Sequence, residues 1–290
     1  MSPSGSPKGL AGSASDKELQ RAEGAGRIVL SGSETGTRVV DIFQRAPLRF
    51  MFPRTTGAAV EEAVLINTAG GIAGGDRLQF DVTARPNASI AVTSQAAEKI
   101  YRALDEPARI ATLLKVCEAA KLAWLPQETI VFNRGRLSRE TEIDVSPGAE
   151  LLALEWLVLG RAALGEEVVG GHISDSWRVK KDGRLIWADN FRATDETFPH
   201  LHRTALLSNC KAVATLIYFG PHLDARLEFL RDIVASLECQ CAATSVGGLI
   251  IVRFAAKVSS DLRRALQSML QQFSGELGSG PFRVPKMWSC

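Results

Sequence analysis

The sequence predicts a mainly β fold. Stacked β-sheets are built from repeated hairpins, as in a β-solenoid or a sandwich, and a small α+β part with two helices follows. One strand-turn-strand unit occurs three times between residues 82 and 161, strand-like segments flank it, and helical segments are few and lie mostly after residue 220. With 290 residues and 46% apolar content, the chain can bury a large core.

The first 26 residues are rich in Ser, Gly, Ala, Lys and Glu and contain few large aliphatic side chains. Such a composition buries too little apolar surface to fold, so residues 1–26 are predicted to be a disordered tail. Residues 27–290 are predicted to form a single domain, with a β body over 27–192 and an α+β part over 193–290. No secretory leader is expected, because no uninterrupted apolar stretch follows Met1.

Residues 68–78, TAGGIAGGDRL, place four glycines within six residues. Gly70 and Gly75 have the separation of a P-loop, but Asp76 and Arg77 follow where a P-loop has Lys and then Ser or Thr. The next residues, LQFDVTA, alternate apolar and polar side chains, which predicts a strand. We therefore expect a loop that passes close to neighbouring strands and presents Asp76, and not a phosphate-binding loop.

The repeated unit begins at Val82, Leu114 and Ile143. Each copy reads as a strand, a short turn, a returning strand and a bend. The turns fall at residues 86–88, 118–120 and 147–149 and contain residues that tolerate tight hairpins. Because units of about thirty residues can stack and bury a continuous core, the repeat predicts layered sheets.

The later elements are a hairpin, two helices and a strand. Asp182-Gly183 lies between the strand-like segments WRV and RLIWAD, and Asp-Gly is a strong signal for a hairpin turn. Apolar residues recur at helical spacing in the segments that begin at Leu223 and Ser259. The apolar run GGLIIVRFAA between these two segments predicts a strand.

Charge and apolar patterning exclude several classes of partner. Lys and Arg total 34 and Asp and Glu total 32, so the net charge of +2 gives no reason to expect nucleic acid. The longest apolar run, residues 151–159, contains Glu155 and is too short to span a membrane. Five scattered cysteines are typical of reduced thiols, which predicts a cytoplasmic protein.

Two short pairs of potential metal ligands occur in the C-terminal part. His200 and His202 would lie on one side of an extended segment, and Cys239 and Cys241 have the same spacing. Such ligands near the surface would suit a transferred transition metal. The alternatives are a solvated loop for the histidines and buried free thiols for the cysteines. The sequence has neither an H-E-x-x-H motif nor a G-x-S-x-G elbow.

Carboxylates recur at the ends or bends of successive predicted strands, at Asp76, Glu98, Glu128, Glu155 and Glu166. Three interpretations remain open. Two acids such as Glu128 and Glu155 could act as acid and base in a β-solenoid hydrolase. Each acid could instead pair with a neighbouring basic side chain as a structural ion pair. The acids could also provide weak, exchangeable oxygen ligands that guide a divalent cation.

Five blocks of sequence carry a resemblance to a known family. They are TAGGIAGGDRL at 68–78, TSQAAEKIYR at 93–102, WLPQETIVF at 124–132, LEWLVLGRAALGE at 154–166 and WRVKKDGRLIWAD at 177–189. In this order they resemble the signature segments of the urease accessory protein family UreD, also called UreH. The closing FRVPKMW resembles the C-terminal end of the same family, whereas residues 194–275 match only in general pattern.

The resemblance implies a mainly β, non-enzymatic chaperone for urease maturation. Its partners would be apo-urease and UreF, with the GTPase UreG joining through UreF, and its cargo would be nickel, held transiently and without a tightly bound cofactor. An internal channel lined partly by acids is the proposed nickel route in this family. By position in or near the matching blocks, the acids that would line the route here are Asp76, Glu166, Glu142 and Asp144.

Overall fold

The computed structural model describes residues 21–53, 60–161, 164–278 and 280–289. It contains seventeen strands and two α-helices within those ranges. The strands are β1 (Glu23–Ser33), β2 (Gly36–Arg45), β3 (Leu48–Met51), β4 (Glu62–Asn67), β5 (Arg77–Ala84), β6 (Ser89–Ser94), β7 (Glu98–Ile100), β8 (Ala108–Val116), β9 (Lys121–Trp124), β10 (Thr129–Val131), β11 (Arg136–Val145), β12 (Glu150–Leu159), β13 (His172–Lys181), β14 (Arg184–Ala193), β15 (Ala212–Phe219), β16 (Gln240–Val246) and β17 (Leu249–Ala256). The helices are α1 (Leu223–Ala235) and α2 (Ser259–Leu277).

The strands form two stacked sheets, which confirms the predicted fold class. Sheet A has the order β14-β13-β11-β8-β5-β1-β2, and sheet B has the order β16-β17-β15-β12-β9-β6-β4-β3. The short strand β10 lies beside β12 and pairs in turn with β7. Each sheet is parallel in its centre, where β5, β8 and β11 pair in sheet A and β6, β9 and β12 pair in sheet B.

The three predicted units form successive coils of a solenoid-like stack, and their turns differ in one respect from the prediction. In each unit the two strands belong to different sheets, so the turn joins sheet A to sheet B instead of closing an antiparallel hairpin. The pairing partner of each strand is therefore the equivalent strand of the next unit. A turn signal in the sequence specifies a reversal of the chain, but it does not specify which strand becomes the hydrogen-bonded neighbour.

The three turns share one backbone geometry. Their middle residues, Asn87, Ala119 and Gly148, have positive φ angles of 60°, 56° and 74°. The next residue is an alanine in every copy, and its N–H donates to the carbonyl three residues earlier at 3.0 or 3.1 Å. All three alanines are buried. The small side chain lets the stacked turns approach the core closely, which explains why the same residue type recurs at this position.

The glycine-rich segment before β5 passes close to its neighbours, as predicted. A Cβ on Gly71 would lie 2.4 Å from the ring of Tyr101, and a Cβ on Gly74 would lie 2.4 Å from the side chain of Ala103. Between these two glycines Ile72 is buried and forms a parallel bridge with Ile100. The glycines therefore allow the loop to lie against the next coil, and the strand predicted after Asp76 is β5.

The remaining predicted elements are present, with two adjustments. β13 and β14 form the antiparallel hairpin around Asp182-Gly183, and α1 and α2 begin at the predicted residues 223 and 259. Residues 23–26, predicted as part of the tail, belong to β1, and the predicted tail up to residue 20 lies outside the described residues. The C-terminal part continues sheet B: β15 pairs with β12, β17 pairs with β15 and β16 pairs with β17.

Sheet B separates two hydrophobic cores. The inner core lies between sheets A and B, and the outer core lies between sheet B, the two helices and the C-terminal segment. β12 is buried along its whole length because its alternate side chains contribute to both cores. Neither described helix has the length and hydropathy required to cross a membrane.

Candidate functional site

Three charged side chains meet between the sheets and define the ion cluster: Arg139, Glu155 and Asp175. Arg139 Nη1 donates to Glu155 Oε2 at 2.6 Å, and its Nε and Nη2 donate to the two oxygens of Asp175 at 2.8 and 2.7 Å. The guanidinium is 2% exposed, so the cluster is enclosed in protein. Buried charges persist when they are paired and hydrogen-bonded, and this network satisfies both conditions.

The strand register positions the ion cluster. Arg139 on β11 is the direct partner of Asp175 on β13, and both side chains face inward in sheet A. Glu155 projects towards them from β12 in sheet B. Its other oxygen accepts a hydrogen bond from Trp124 Nε1 at 2.8 Å, and Arg139 Nη1 also donates to Thr129 Oγ1 at 3.1 Å. The cluster therefore links the two sheets across the inner core.

The ion cluster contains two carboxyl groups and one guanidinium. Burial raises the pKa of Glu155, and the charge of Arg139 and the hydrogen bond from Trp124 offset this effect only in part. Burial disfavours the charged guanidinium, but Asp175 and Glu155 outweigh that effect and raise the pKa of Arg139. Arg139 is therefore always charged, and the cluster is one positive charge short of neutrality when both acids are ionised.

Two cavities are lined by residues of the ion cluster. The larger, about 420 Å³, is lined by Glu155, Asp175 and apolar side chains, and exposed Gln240 and Arg253 lie at its edge. The smaller, about 40 Å³, is lined by Arg139, Glu155 and several polar residues, which include Thr93, Ser94, Glu98, Thr112, Gln127 and Thr129. Because Glu155 lines both cavities, the cluster forms the wall between them.

A third carboxyl group, that of Glu98, also lines the smaller cavity. Glu98 on β7 is the register partner of Thr129 on β10, and its Oε2 accepts a hydrogen bond from Asn67 Nδ2 at 2.9 Å. Burial raises the pKa of Glu98, and the hydrogen bond from Asn67 only partly opposes this. Glu98, Thr129, Arg139 and Glu155 line this cavity together, and with Asp175 we call these residues the polar track.

Asp76 is buried and acts as a local hydrogen-bond acceptor. Its two carboxylate oxygens accept N–H groups from Ala22 and Ala73, each at 2.8 Å. Arg77 does not pair with it, because Arg77 lies near Glu23 at 3.8 Å instead. Asp76 therefore connects the start of β1 to the glycine-rich loop.

Glu166 lies beside the bends of the coils. A series of side-chain contacts links it to the glycine-rich loop. The Tyr101 hydroxyl donates a hydrogen bond to the Gly70 carbonyl, and its ring packs edge-on against Phe132 with ring centroids 5.3 Å apart. The guanidinium of Arg161 lies over the Phe132 ring, 4.2 Å from the ring centroid. Arg161 then donates to both oxygens of Glu166, at 2.9 and 3.1 Å. Its hydrogen bonds to Arg161 lower the pKa of Glu166, so this carboxylate is ionised at neutral pH.

Glu142 and Asp144 lie elsewhere, on the outward face of sheet A. Glu142 pairs with Lys180, and Asp144 accepts the N–H of Gly183 at 3.0 Å. The pairing of β8 with both β11 and β5 places Asp144 level with Thr83. Thr83 is seven residues from Asp76, so at 3.3 Å per residue Asp144 and Asp76 are about 23 Å apart along the strand direction. The structure does not bring the four acids together, and within the described ranges no three His, Cys, Asp or Glu residues are grouped to hold a metal ion.

The His and Cys pairs have different environments. His200 and His202 are exposed around a short 3-10 turn at Phe198–His200. Cys239 and Cys241 are half-buried, and Cys241 Sγ donates to the carbonyl of Val234 at 3.2 Å. Burial raises the pKa of Cys241 to about 12, so its thiol is protonated at neutral pH in the metal-free protein. Cys117, Cys210, Cys239 and Cys241 are all free thiols.

The hydrolase interpretation fails on the two acids that it requires. Glu128 accepts a hydrogen bond from Arg263 at 2.6 Å, and Glu155 is buried in the ion cluster with Arg139. A glycosidase needs both carboxyl groups free to reach a substrate in an open cleft. Both groups are instead held by arginines, so the structure contradicts this alternative.

Arg139 and Asp175 were missed in the sequence analysis, although a signal for both was present. In RLSRETEIDV the inward positions of β11 are Leu137, Arg139, Thr141, Ile143 and Val145, and in HISDSWRVKK the inward positions of β13 include Asp175 between Ile173 and Trp177. Period-two alternation therefore assigns both charges to the buried face. Their meeting with Glu155 could not be predicted, because it depends on how the sheets stack.

The fold and the ion cluster define a class: a stacked-sheet β protein with a charged inter-sheet interior and a helical layer on one side. Comparison with known proteins identifies the family. The model of the family described as UreD urease accessory protein matches residues 22–289, and the chain belongs to this family.

Curated relatives cover nearly the whole chain. A urease accessory protein UreD from Methylobacterium sp. (strain 4-46) is 40% identical over 93% of this chain and 95% of its own length. A UreD from Rhizobium johnstonii is also 40% identical, over 93% of this chain and 96% of its own length. A protein named urease accessory protein UreD 1 from Brucella melitensis is 38% identical over 93% and 95%. Membership supports a role in urease maturation, and the accessory names point to a non-catalytic role.

Proposed function

We propose that this chain is a urease maturation chaperone that binds apo-urease and recruits UreF and, through UreF, the GTPase UreG, so that nickel reaches the urease active site. The observation that carries the proposal is family membership over residues 22–289. The free thiols agree with a reducing compartment, and we propose that the protein acts in the cytoplasm. Nickel is the cargo in this scheme and not a resident cofactor.

The interior of the molecule offers a physical reason for such a role. The polar track joins Glu98 to the ion cluster, and the larger cavity continues from the cluster to the exposed residue Arg253. Carboxyl and hydroxyl oxygens bind nickel more weakly than thiolates or several imidazoles do, and weak ligands exchange quickly. A path of oxygen ligands therefore suits passage of the ion better than storage.

Asp76 and Glu166 remain predicted members of the nickel route, as do Glu142 and Asp144. The hydrogen bonds of Asp76 to Ala22 and Ala73 and of Glu166 to Arg161 also assign them a local structural role. The two roles predict different results. A route residue affects activation of urease without affecting assembly, whereas a structural residue affects both.

The test is co-expression of the tagged chain with the urease subunits, UreF and UreG, with urease activity and complex capture measured on the same samples. We expect capture of urease and UreF and activation of urease by the wild-type chain. Failure of the tagged wild-type chain to capture either partner, with all proteins expressed, contradicts the proposed function.

Site variants are compared in the same assay. Glu98→Gln and Asp175→Asn are expected to lower urease activation several-fold with the complex still captured, because each removes a carboxylate from the polar track. Asp76→Asn and Glu166→Gln test the remaining predicted route in the same way. Glu140→Gln is the matched control, because Glu140 is an exposed acid on the outward face of β11. If the track variants activate urease as well as the control does, the interior is not the route.

A further inference from the structure

The cation of the ion cluster is a side chain of the chain itself, and residues of the cluster line the two cavities. Arg139 donates two hydrogen bonds to Asp175, one to Glu155 and one to Thr129. With the hydrogen bond from Trp124, each of the four carboxylate oxygens already accepts one donor. The position between the two acids is therefore filled while the guanidinium is in place.

A buried ion cluster often stabilises a protein less than an apolar contact of similar volume would, if its only role is to link two sheets. With both acids ionised, this cluster also retains one uncompensated negative charge. Thr141, two residues along β11 and also facing inward, is 1% exposed, and its Oγ1 has no hydrogen-bond partner among the described residues. In that ionisation state the cluster carries one uncompensated negative charge, and the nearby Thr141 hydroxyl group has no partner among the described residues.

Resting on the proposed function, we infer that Arg139 is a positioning residue that acts as a movable internal counter-ion. Its guanidinium occupies the place of a cation between Glu155 and Asp175 and moves aside when a divalent cation passes from one cavity to the other. Because Arg139 is tethered to β11, it returns to the acids after the ion has left. Without it, two buried carboxylates would face each other unpaired and would retain a divalent cation.

This role differs from that of a structural ion pair in what happens when the guanidinium is removed. A structural arginine that is lost leaves a less stable protein with unchanged metal affinity. A counter-ion that is lost leaves a cation site, because Glu155 and Asp175 then lack their neutralising charge. Removal of all three charges leaves neither the barrier nor the site.

The experiment measures binding of Ni²⁺ to the purified full chain by titration calorimetry, without urease or other accessory proteins. Arg139→Met is expected to bind one Ni²⁺ per chain that the wild-type chain does not retain at the same concentration. The neutral variant Arg139→Met/Glu155→Gln/Asp175→Asn is expected to bind none at this site. Arg38→Met is the matched control, since it removes an exposed arginine from β2, at the edge of sheet A away from the ion cluster, and it should behave as wild type.

The same variants are then assayed for urease activation by co-expression. Arg139→Met should lower activation several-fold because it retains nickel, and the neutral variant should lower it because the ligands are missing. Overturning results are a folded Arg139→Met that binds no more Ni²⁺ than wild type, or a neutral variant that activates urease fully. If Arg139→Met does not fold, Arg139→Gln replaces it, because glutamine also removes the charge but can still hydrogen-bond to the acids. Ni²⁺ retention is expected for this variant too, and a folded Arg139→Gln that binds no more Ni²⁺ than wild type overturns the inference.

Failure of the inference is distinguishable from failure of the proposed function. The calorimetric result does not depend on urease, whereas the proposed function fails when the wild-type chain neither captures urease nor supports its activation. If Arg139→Met retains Ni²⁺ but the wild-type chain neither captures nor activates urease, the counter-ion inference stands and the proposed function is contradicted.

Discussion

The inner and outer cores lie on the two faces of the same sheet, yet they bury different kinds of side chain. The outer core is apolar and aromatic: Trp156 stacks on Trp288 with ring centroids 5.8 Å apart, and Tyr218 meets Phe273 edge-on at 5.3 Å. The inner core contains the ion cluster, and residues of this cluster line the two cavities. The inner core therefore buries a complete ion cluster, whereas single charged groups such as Glu150 and Arg263 contact the aromatic side chains of the outer core.

The difference has a physical basis in how each core is closed. Two helices and the C-terminal segment cover the outer core, and their long side chains interdigitate with those of sheet B. The inner core is bounded by two sheets whose strand register is set by the solenoid-like stack, so their side chains cannot rearrange freely to fill every gap. Polar groups placed in the gaps must then satisfy one another.

The largest expected effect is the loss of stability when Arg139 is removed from the inner core, and removal of the two acids should reverse it. Arg139→Met should lower the free energy of unfolding by about 3–5 kcal/mol, because it leaves two buried carboxylates unpaired. Adding Glu155→Gln and Asp175→Asn should restore most of this loss, since the interior is then uncharged. Urea unfolding of the three proteins measures the effect. A neutral variant as unstable as Arg139→Met would show that the loss comes from packing and not from charge.

Truncation of an outer-core side chain should lower the free energy of unfolding by a comparable amount. A charge substitution should not restore that loss. Trp288→Ala removes a buried ring and its hydrogen bond to the Leu125 carbonyl at 3.0 Å, for an expected loss of about 3–5 kcal/mol. Val258→Ala, at an exposed position, is the control and should change stability little. Urea unfolding again gives the values. A small loss for Trp288→Ala would mean that the C-terminal segment does not close this core.

The pH dependence should differ between the cores through Glu155. Its folded pKa is raised above the ordinary value of 4.5, so the folded state binds this proton more tightly than the unfolded state. Its contribution to stability is therefore fully present below about pH 4.5 and is lost as the pH rises through the folded pKa. Glu155→Gln cannot titrate, so the unfolding free energy of wild type relative to this variant should decrease with rising pH.

Urea unfolding of both proteins at a series of pH values from about 4.5 to about 8 measures this difference. The carboxamide has one oxygen instead of two, so the variant loses a hydrogen bond at every pH, and only the pH dependence is diagnostic. Trp288→Ala is the control, because it changes no titratable group and should follow the pH profile of wild type. A difference between wild type and Glu155→Gln that does not vary with pH would contradict the raised pKa.

The smallest effect is expected outside both cores. Glu142 and Lys180 form an ion pair on the outward face of sheet A, with side chains 42% and 31% exposed. Glu142→Gln/Lys180→Met should change the free energy of unfolding by less than about 1 kcal/mol, because solvent screens such pairs. Thermal and urea unfolding measure the change. An effect as large as that of Arg139→Met would mean that burial is not what makes the ion cluster sensitive.

The sequence by itself determined the local structure and the family. Alternation of apolar residues, the positions of the three short turns, the Asp182-Gly183 hairpin and the helical spacing after residue 220 each depend on neighbouring residues, and each was predicted correctly. The blocks that resemble UreD were also readable, because they are contiguous in the chain, and the family comparison confirmed them.

Only the tertiary structure decided which strands pair and which charges meet. The turn at residues 86–88 was predicted to close a hairpin, but it joins two sheets, because pairing depends on strands about thirty residues away. Glu155 was assigned a possible catalytic role, but it pairs with Arg139 across the inner core. The physical reason is the same in both cases: local propensity determines the direction and periodicity of each segment, whereas stacking of distant segments determines what each inward side chain contacts.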